Sequence, residues 1–318
     1  MWKIKSTFKT RLGLPATLAV LAEIGIVPIA PIAHAADAWA IKLTPQGYYS
    51  SYSGSPVRNY LWSYGLSLDA QYLERGGVSV GAEHLYLQGK GAARSISQNT
   101  AFVSGHVHLT PDGLPGRLTM RMDGLAANNN DITNESDQVR VWAPQISFLN
   151  SGKTFYLDAG YAGSSYGASN VAGRGSLKVR QWTPTVGFGL GGADWLQLRL
   201  YDVRDTNALR STNKSKTTAV EGKWIHYLQG GGWAPEQIQV AVLGGERIYA
   251  VDPDTRALYN LSDLQKGGVS LGANWKLSPN ARLLVNAGYN RYEAITGPGS
   301  ITSTYSGAHL YTGVSFQW

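Results

Sequence analysis

Tyr60-Leu61-Trp62-Ser63-Tyr64-Gly65-Leu66-Ser67-Leu68-Asp69-Ala70-Gln71-Tyr72 alternates without interruption. Tyr60, Trp62, Tyr64, Leu66, Leu68, Ala70 and Tyr72 share one face, and Ser63, Gly65, Ser67, Asp69 and Gln71 share the other. A period of two is that of a strand, and a tilted strand of this length, at about 3.3 Å per residue, crosses the hydrocarbon core of a bilayer. Aromatics stand at both ends of the apolar face and aliphatics in its middle, the order that two headgroup girdles and a hydrocarbon band demand. A soluble sandwich would give aromatics no reason to collect at both ends.

The pattern recurs along the chain. Leu118, Met120 and Met122 alternate with Arg117, Thr119, Arg121 and Asp123; Leu196, Leu198 and Leu200 with Gln197 and Arg199; Val269, Leu271, Ala273 and Trp275 with Ser270, Gly272 and Asn274. Strands are predicted near 39–53, 57–73, 78–90, 100–110, 116–126, 136–149, 154–165, 176–190, 194–206, 216–229, 235–247, 264–277, 281–295 and 304–318. Every second connection is short and rich in turn residues, and the alternate ones are mostly longer and polar, as in an outer-membrane barrel. The short Ser53–Pro56 hairpin is the exception. The expected fold is all-β: a transmembrane antiparallel up-and-down barrel of about fourteen strands, with both termini periplasmic. A closed barrel leaves no edge to pair, so a monomer is expected.

Both ends of the sequence carry address signals. Lys3, Lys5, Lys9 and Arg11 precede an apolar stretch to about Ile32, and Ala33-His34-Ala35 is a small-x-small cleavage site. Residues 1–35 read as a secretion signal peptide and 36–318 as the barrel. At the other end, Val314, Phe316 and the terminal Trp318 alternate after Gly313. That tail, Tyr311–Trp318, resembles the signal by which outer-membrane barrels engage their insertion machinery. The bacterial outer membrane is the expected location, with its lipid and lipopolysaccharide as the surroundings.

Composition narrows the function. The formal charge of +7 falls to +4 once the leader is removed, too little to argue for nucleic acid but suited to anionic headgroups or sugars. The chain has no cysteine, which excludes disulfides and thiol chemistry. No cofactor is implied.

Three segments carry a family resemblance: Tyr49-Ser50-Ser51-Tyr52-Ser53-Gly54, Gln181-Trp182, and Lys266-Gly267-Gly268-Val269-Ser270-Leu271. With the strand layout, they make the chain resemble the YaiO-type outer-membrane β-barrel family, related to the barrel ends of exopolysaccharide export proteins. The resemblance implies a fold and a location and brings no catalytic residue with it.

Candidate chemistry lies on the faces turned from the lipid. His106 and His108 are two apart and share a face with Ser104, so they point inward. They offer a base and nucleophile without a placed carboxylate, or two metal ligands without a third, or simply polar lining. Asp252-Pro253-Asp254-Thr255-Arg256 reads as a solvated turn, with calcium as the alternative. It lies in the longest outer loop, 248–263, the best candidate to fold inward and narrow a pore. Val139-Arg140-Val141-Trp142-Ala143-Pro144 echoes Val179-Arg180-Gln181-Trp182-Thr183-Pro184, and a bulge that flips the alternation is expected at each proline.

The inward charges form the main constellation. Alternation projects Arg117, Arg121, Arg140, Lys178, Arg180, Arg199, Lys223, Lys276 and Arg282 into the lumen against Asp69, Glu83, Asp123, Asp158 and Glu221. Nine cations to five carboxylates favour anionic solutes. The expected function is a channel, exporter component or binding barrel for small polar, anionic or saccharide substrates, not an enzyme. A lipid-modifying enzyme using Ser and His, or a structural or adhesive barrel acting through its outer loops, are the alternatives. Whether the lumen is open or plugged bears most on the choice, since a plugged barrel removes the channel reading at once.

Overall fold

The structure is a computed structural model that describes residues 38–318 except Glu74, Asp112, 211–213, 229–232 and 296–300, and except the side chains of Ile295, Ile301 and Thr302. The leader expected over residues 1–35 lies outside the described residues.

Fourteen strands follow in chain order: β1 Trp39–Ser53, β2 Arg58–Tyr72, β3 Gly76–Gly89, β4 Ile96–Leu109, β5 Gly116–Asn129, β6 Val139–Asn150, β7 Phe155–Tyr166, β8 Leu177–Leu190, β9 Asp194–Asp205, β10 Lys216–Tyr227, β11 Gln237–Arg247, β12 Leu264–Ser278, β13 Ala281–Ile295 and β14 Ile301–Gln317. Each pairs antiparallel with its sequence neighbours, and β1 pairs with β14, so the sheet closes on itself. Ile41 and Trp318 exchange backbone hydrogen bonds of 2.9 and 3.0 Å, which places the last residue of the chain inside the closing ladder. Closure satisfies every strand's backbone without water, the condition for a sheet to cross a bilayer.

Alternation sorts the side chains. Trp62, Tyr64, Leu66 and Leu68 of β2 are exposed on the outer face, while Leu61 and Ser63 are buried within. Val103 and Val107 of β4, Met120 and Met122 of β5 and Leu310 and Phe316 of β14 belong to the same outer apolar band. Trp39, Trp318 and the strand ends joined by the short connections share one end of the barrel, the turn end. The long connections occupy the opposite, loop end. The tight β1–β2 hairpin sits at the loop end, where Gly54 supplies the left-handed φ of +77° that so short a reversal needs.

Both prolines expected at bulges behave differently. Pro144 and Pro184 lie in strands whose pairing registers run on unshifted, and both are directed outward. Because no residue is inserted, the alternation does not flip. Arg140, Trp142, Pro144 and Ile146 therefore share the outer face of β6, and Lys178, Arg180, Trp182 and Pro184 that of β8.

Candidate functional site: an inward loop and a charged vestibule

Ile248–Asp263, between β11 and β12, folds into the barrel. Its two feet are β-bulges: register shifts occur between Gly244 and Arg247 and between Gln265 and Gly267. Gly245 (φ +98°) and Gly267 (φ +142°) bend the chain at these points, and at Gly245 a Cβ would stand 2.5 Å from the Thr218 carbonyl oxygen. Within the lumen the loop doubles back as a small hairpin, with Val251 bridged to Leu258 and the Asp252 N–H donating to the Ala257 carbonyl at 2.9 Å. Asp252 Oδ1 accepts the backbone N–H groups of Asp254 and Thr255, shaping the tip.

The base of the loop is docked by apolar packing. Ile248, Tyr249, Ala250 and Val251 are buried, and Ile248, Tyr249 and Val251 share one apolar cluster with Leu125, Ala127, Val139, Val141, Ala162, Tyr166, Leu177, Val179, Tyr201, Val203, Ala219 and Leu243 from the inner walls of β5–β11. Tyr249 holds a left-handed φ of +52°, a conformation a bulky residue keeps only when its surroundings fix it. Its ring meets Tyr166 at 5.1 Å, and its hydroxyl donates to the Arg210 carbonyl at 2.6 Å. Arg210, itself buried, donates to the carbonyls of Gly167 and Gly175 at 2.7 and 3.1 Å, linking the neighbouring outer loops above the docked segment. The loop-end half of this wall is thus a packed core, not the wet lining expected from its charges.

Polar bonds carry the loop to mid-barrel. Gln181 of β8 grips Val251 twice: its Nε2 donates to the carbonyl at 2.6 Å and its Oε1 accepts the N–H at 2.9 Å. Arg121 of β5 donates to the Pro253 carbonyl at 2.6 Å. Asp254 receives Arg199 of β9 on Oδ1 at 2.7 Å and Lys223 of β10 on Oδ2 at 2.6 Å. Arg256 lies 3.7 Å from Asp123 and over the ring of Phe102 at 5.0 Å. Asn260 donates to Gln98 of β4 at 2.6 Å, and Asp263 pairs with Arg58 of β2. Burial alone would raise the Asp254 carboxyl, but Arg199 and Lys223 outweigh it and hold the group below the usual carboxylate range. The expected inward fold of the loop is what the structure contains, and Asp252–Arg256 is a turn with Asp254 and Thr255 exposed, but inside the barrel, where Asp254 and Arg256 are also ion-paired to the wall.

Below the tip, toward the turn end, a cavity of about 290 Å³ is lined by His106, Thr119, Arg121, Gln145, Ser147 and Tyr156, and roofed by Asp254 and Arg256. The His106 and His108 rings lie 4.9 Å apart, tilted by 53°, and His108 Nδ1 lies 2.8 Å from Thr119 Oγ1. Asp158 is held by the Tyr156 hydroxyl at 2.8 Å and by Gln145. Ser104 Oγ is buried without a hydrogen-bond partner, so Ser104 and His106 do not form the bonded pair that nucleophilic chemistry requires.

Of the other projected charges, Asp69 meets Lys42 at 3.3 Å, and Arg121 meets Asp123 at 2.8 Å. Glu221 lies 3.9 Å from Arg199 and 4.0 Å from Lys223, and Glu83 and Arg117 also point inward. Lys276 and Arg282 stand at the turn-end mouth, Arg282 beside Glu236 at 3.4 Å. Arg140, Lys178 and Arg180 do not line the lumen. They alternate with the buried Val139, Val141, Leu177, Val179 and Gln181, and are exposed on the outside of the barrel. The nine-to-five excess on the projected positions becomes six to five. Sequence reasoning missed Gln98 and Gln181 as anchors, and Arg58 and Arg247 as inward cations; Arg247 lies over Tyr201 and Tyr259 at 4.9 and 4.5 Å.

No family model matches this chain. No curated protein matches it either. Among solved structures it is similar to the Pseudomonas putida toluene transporter TodX, with 8% identity over 88% of this chain and 89% of that one, and a TM-score of 0.51. A TodX mutant described as a monoaromatic hydrocarbon channel gives 10% identity, 88% and 90% coverage and a TM-score of 0.50. The Acinetobacter baumannii outer membrane protein Omp33 gives 7%, 88%, 99% and 0.44. At these identities the likeness shows a shared fold, that of outer-membrane barrels.

Proposed function

We propose that the chain is an outer-membrane channel for small polar, anionic solutes, narrowed at rest by its own inward loop. In this reading both termini and the short turns face the periplasm, the Tyr311–Trp318 strand addresses the insertion machinery, and the barrel belongs with the YaiO-type family. Two of the segments that suggested that family bear on the loop: Gln181 clamps Val251, and Gly267 forms one of the loop's feet.

One observation carries the proposal. The Asp254 carboxylate rests between Arg199 and Lys223, with Arg121 on the adjacent Pro253 carbonyl, so it occupies the place that an entering anion would take. It remains 39% exposed inside the barrel, within reach of a competing solute. A plug fixed only by packing would argue against passage. A tip held by ion pairs in contact with lumen water can exchange its partner for a solute carboxylate or phosphate, because an entering anion would satisfy the buried Arg199 in place of Asp254. Recordings in planar bilayers with asymmetric KCl test this: a small, anion-preferring conductance that rises in Asp254→Asn is expected, and cation preference, or silence in both proteins, would refute it.

A further inference from the structure

The three cations misplaced by alternation make a surface of their own. On the outside of the barrel at the loop end, Arg180 of β8 stands opposite Arg204 of β9, and Arg204 stands opposite Lys216 of β10. In the next row, Arg140 of β6 and Lys178 of β8 both stand opposite Ser165 of β7. Like charges directly across a sheet repel, and here a neighbouring carboxylate relieves Arg204 and Lys216 but not Arg140, Lys178 or Arg180. Asp202, 3.1 Å from Arg204 and 3.4 Å from Lys216, is the one carboxylate in the group, and no described carboxylate forms an ion pair with Arg140, Lys178 or Arg180. Five cations thus stand on four strands, β6, β8, β9 and β10, a span of about 19 Å at the usual strand spacing.

The position is informative. Trp142, Tyr161 and Trp182 form an aromatic row on the same outer face, with centroids 5.1 and 4.9 Å apart, where a girdle meets the headgroup level. The cations lie on the loop-end side of that row. Between them, β7 presents only Gly163 and Ser165. The Trp142 indole covers Gly163, and its Nε1 would lie 2.5 Å from a Cβ placed there. The result is a stretch of small residues flanked by cations on the outer face.

We propose that this face of β6–β10 binds the phosphate groups of a lipid in the loop-side leaflet, a phosphorylated glycolipid such as lipopolysaccharide. Phosphate oxygens would bridge Arg180, Arg204 and Lys178 and relieve the repulsion between them, while the acyl chains lie along the aromatic row. The proposal shares the membrane setting of the channel reading but does not depend on passage, so a silent barrel leaves it standing.

The test uses the refolded mature chain in phosphatidylcholine bilayers containing either a diphosphorylated lipid A or the same lipid after phosphate removal. Co-purified lipid is quantified by native mass spectrometry. The expected result is a preference of about tenfold or more for the phosphorylated form. The preference should weaken with salt and be lost in Lys178→Ser/Arg180→Ser/Arg204→Ser, while Arg291→Ser, on the outer face of β13, keeps it. If the triple variant does not refold, Lys178→Glu alone is expected to reduce retention. Equal retention of the two lipids, an equal loss in Arg291→Ser, or inorganic phosphate binding as tightly as the lipid would overturn it.

Discussion

The two halves of the lumen are lined by the same strands and yet differ in kind. At the loop end of β5–β11, the inner wall presents Leu125, Val139, Val141, Leu177, Val179 and Val203, all buried against Tyr249 and Val251. A few residues further along the same strands, the wall presents Arg121, Gln145, Ser147, Tyr156 and Arg199 around a cavity and the loop tip. The loop matches both halves, with apolar residues at its base and charged residues at its tip. One segment therefore divides a barrel of uniform backbone into a dry anchor and a wet, ion-paired tip. Apolar packing holds the anchor, whereas the tip is held by charges.

Substitutions in the anchor and in the tip separate the two halves. Leu177→Ala opens a hole under the anchor at a side chain that is 0% exposed, and an unfolding free energy lower by about 3 kcal/mol is expected in denaturant titrations. Asp254→Ala attacks the tip instead. It leaves Arg199, 2% exposed, with Glu221 at 3.9 Å as its remaining carboxylate. A cost of about 2 kcal/mol is expected, between the values for exposed and buried pairs, together with faster proteolysis within 250–258. His106→Ala lies in the vestibule and touches neither anchor nor tip; its effect on stability is expected to stay within about 0.5 kcal/mol. A loss as large as that of Leu177→Ala would mean that the vestibule is packed rather than wet. The smallest effect is expected from mild acid. Asp254 is held below the usual carboxylate range, so its stabilisation is present above that range and lost only as pH falls through the depressed value. Conductance should therefore be the same at about pH 7 and about pH 5; a rise on acidification would show that another group holds the loop.

The architecture was readable because a barrel's signals are local. Alternation along Tyr60–Tyr72, turn residues at every second connection and a terminal Trp318 each constrain a few residues, and their agreement yields the strand count. The length of the Ile248–Asp263 segment also pointed inward. Its partners were hidden, because Gln98, Gln181 and Arg199 meet the loop only through closure of the barrel. Gln98 and Asn260 are 162 positions apart. The misplacement of Arg140, Lys178 and Arg180 has a definite cause. Charge was assigned to the lumen and proline to a bulge, whereas near the loop end the outer face is in headgroup territory and the polarity rule reverses. Val139 and Val141, buried beside an exposed Arg140, carried the opposite reading all along.

Removing the loop tip shows directly whether it narrows the barrel. Asp252 and Ala257 are already hydrogen-bonded across the tip, so Pro253–Arg256 can be excised and the chain closed with Asn-Gly without disturbing the docked base. Single-channel conductance of this variant should rise several-fold over the parent while the folded barrel keeps its heat-shifted mobility. A conductance equal to the parent's in an equally folded variant would contradict the claim that this loop is the gate.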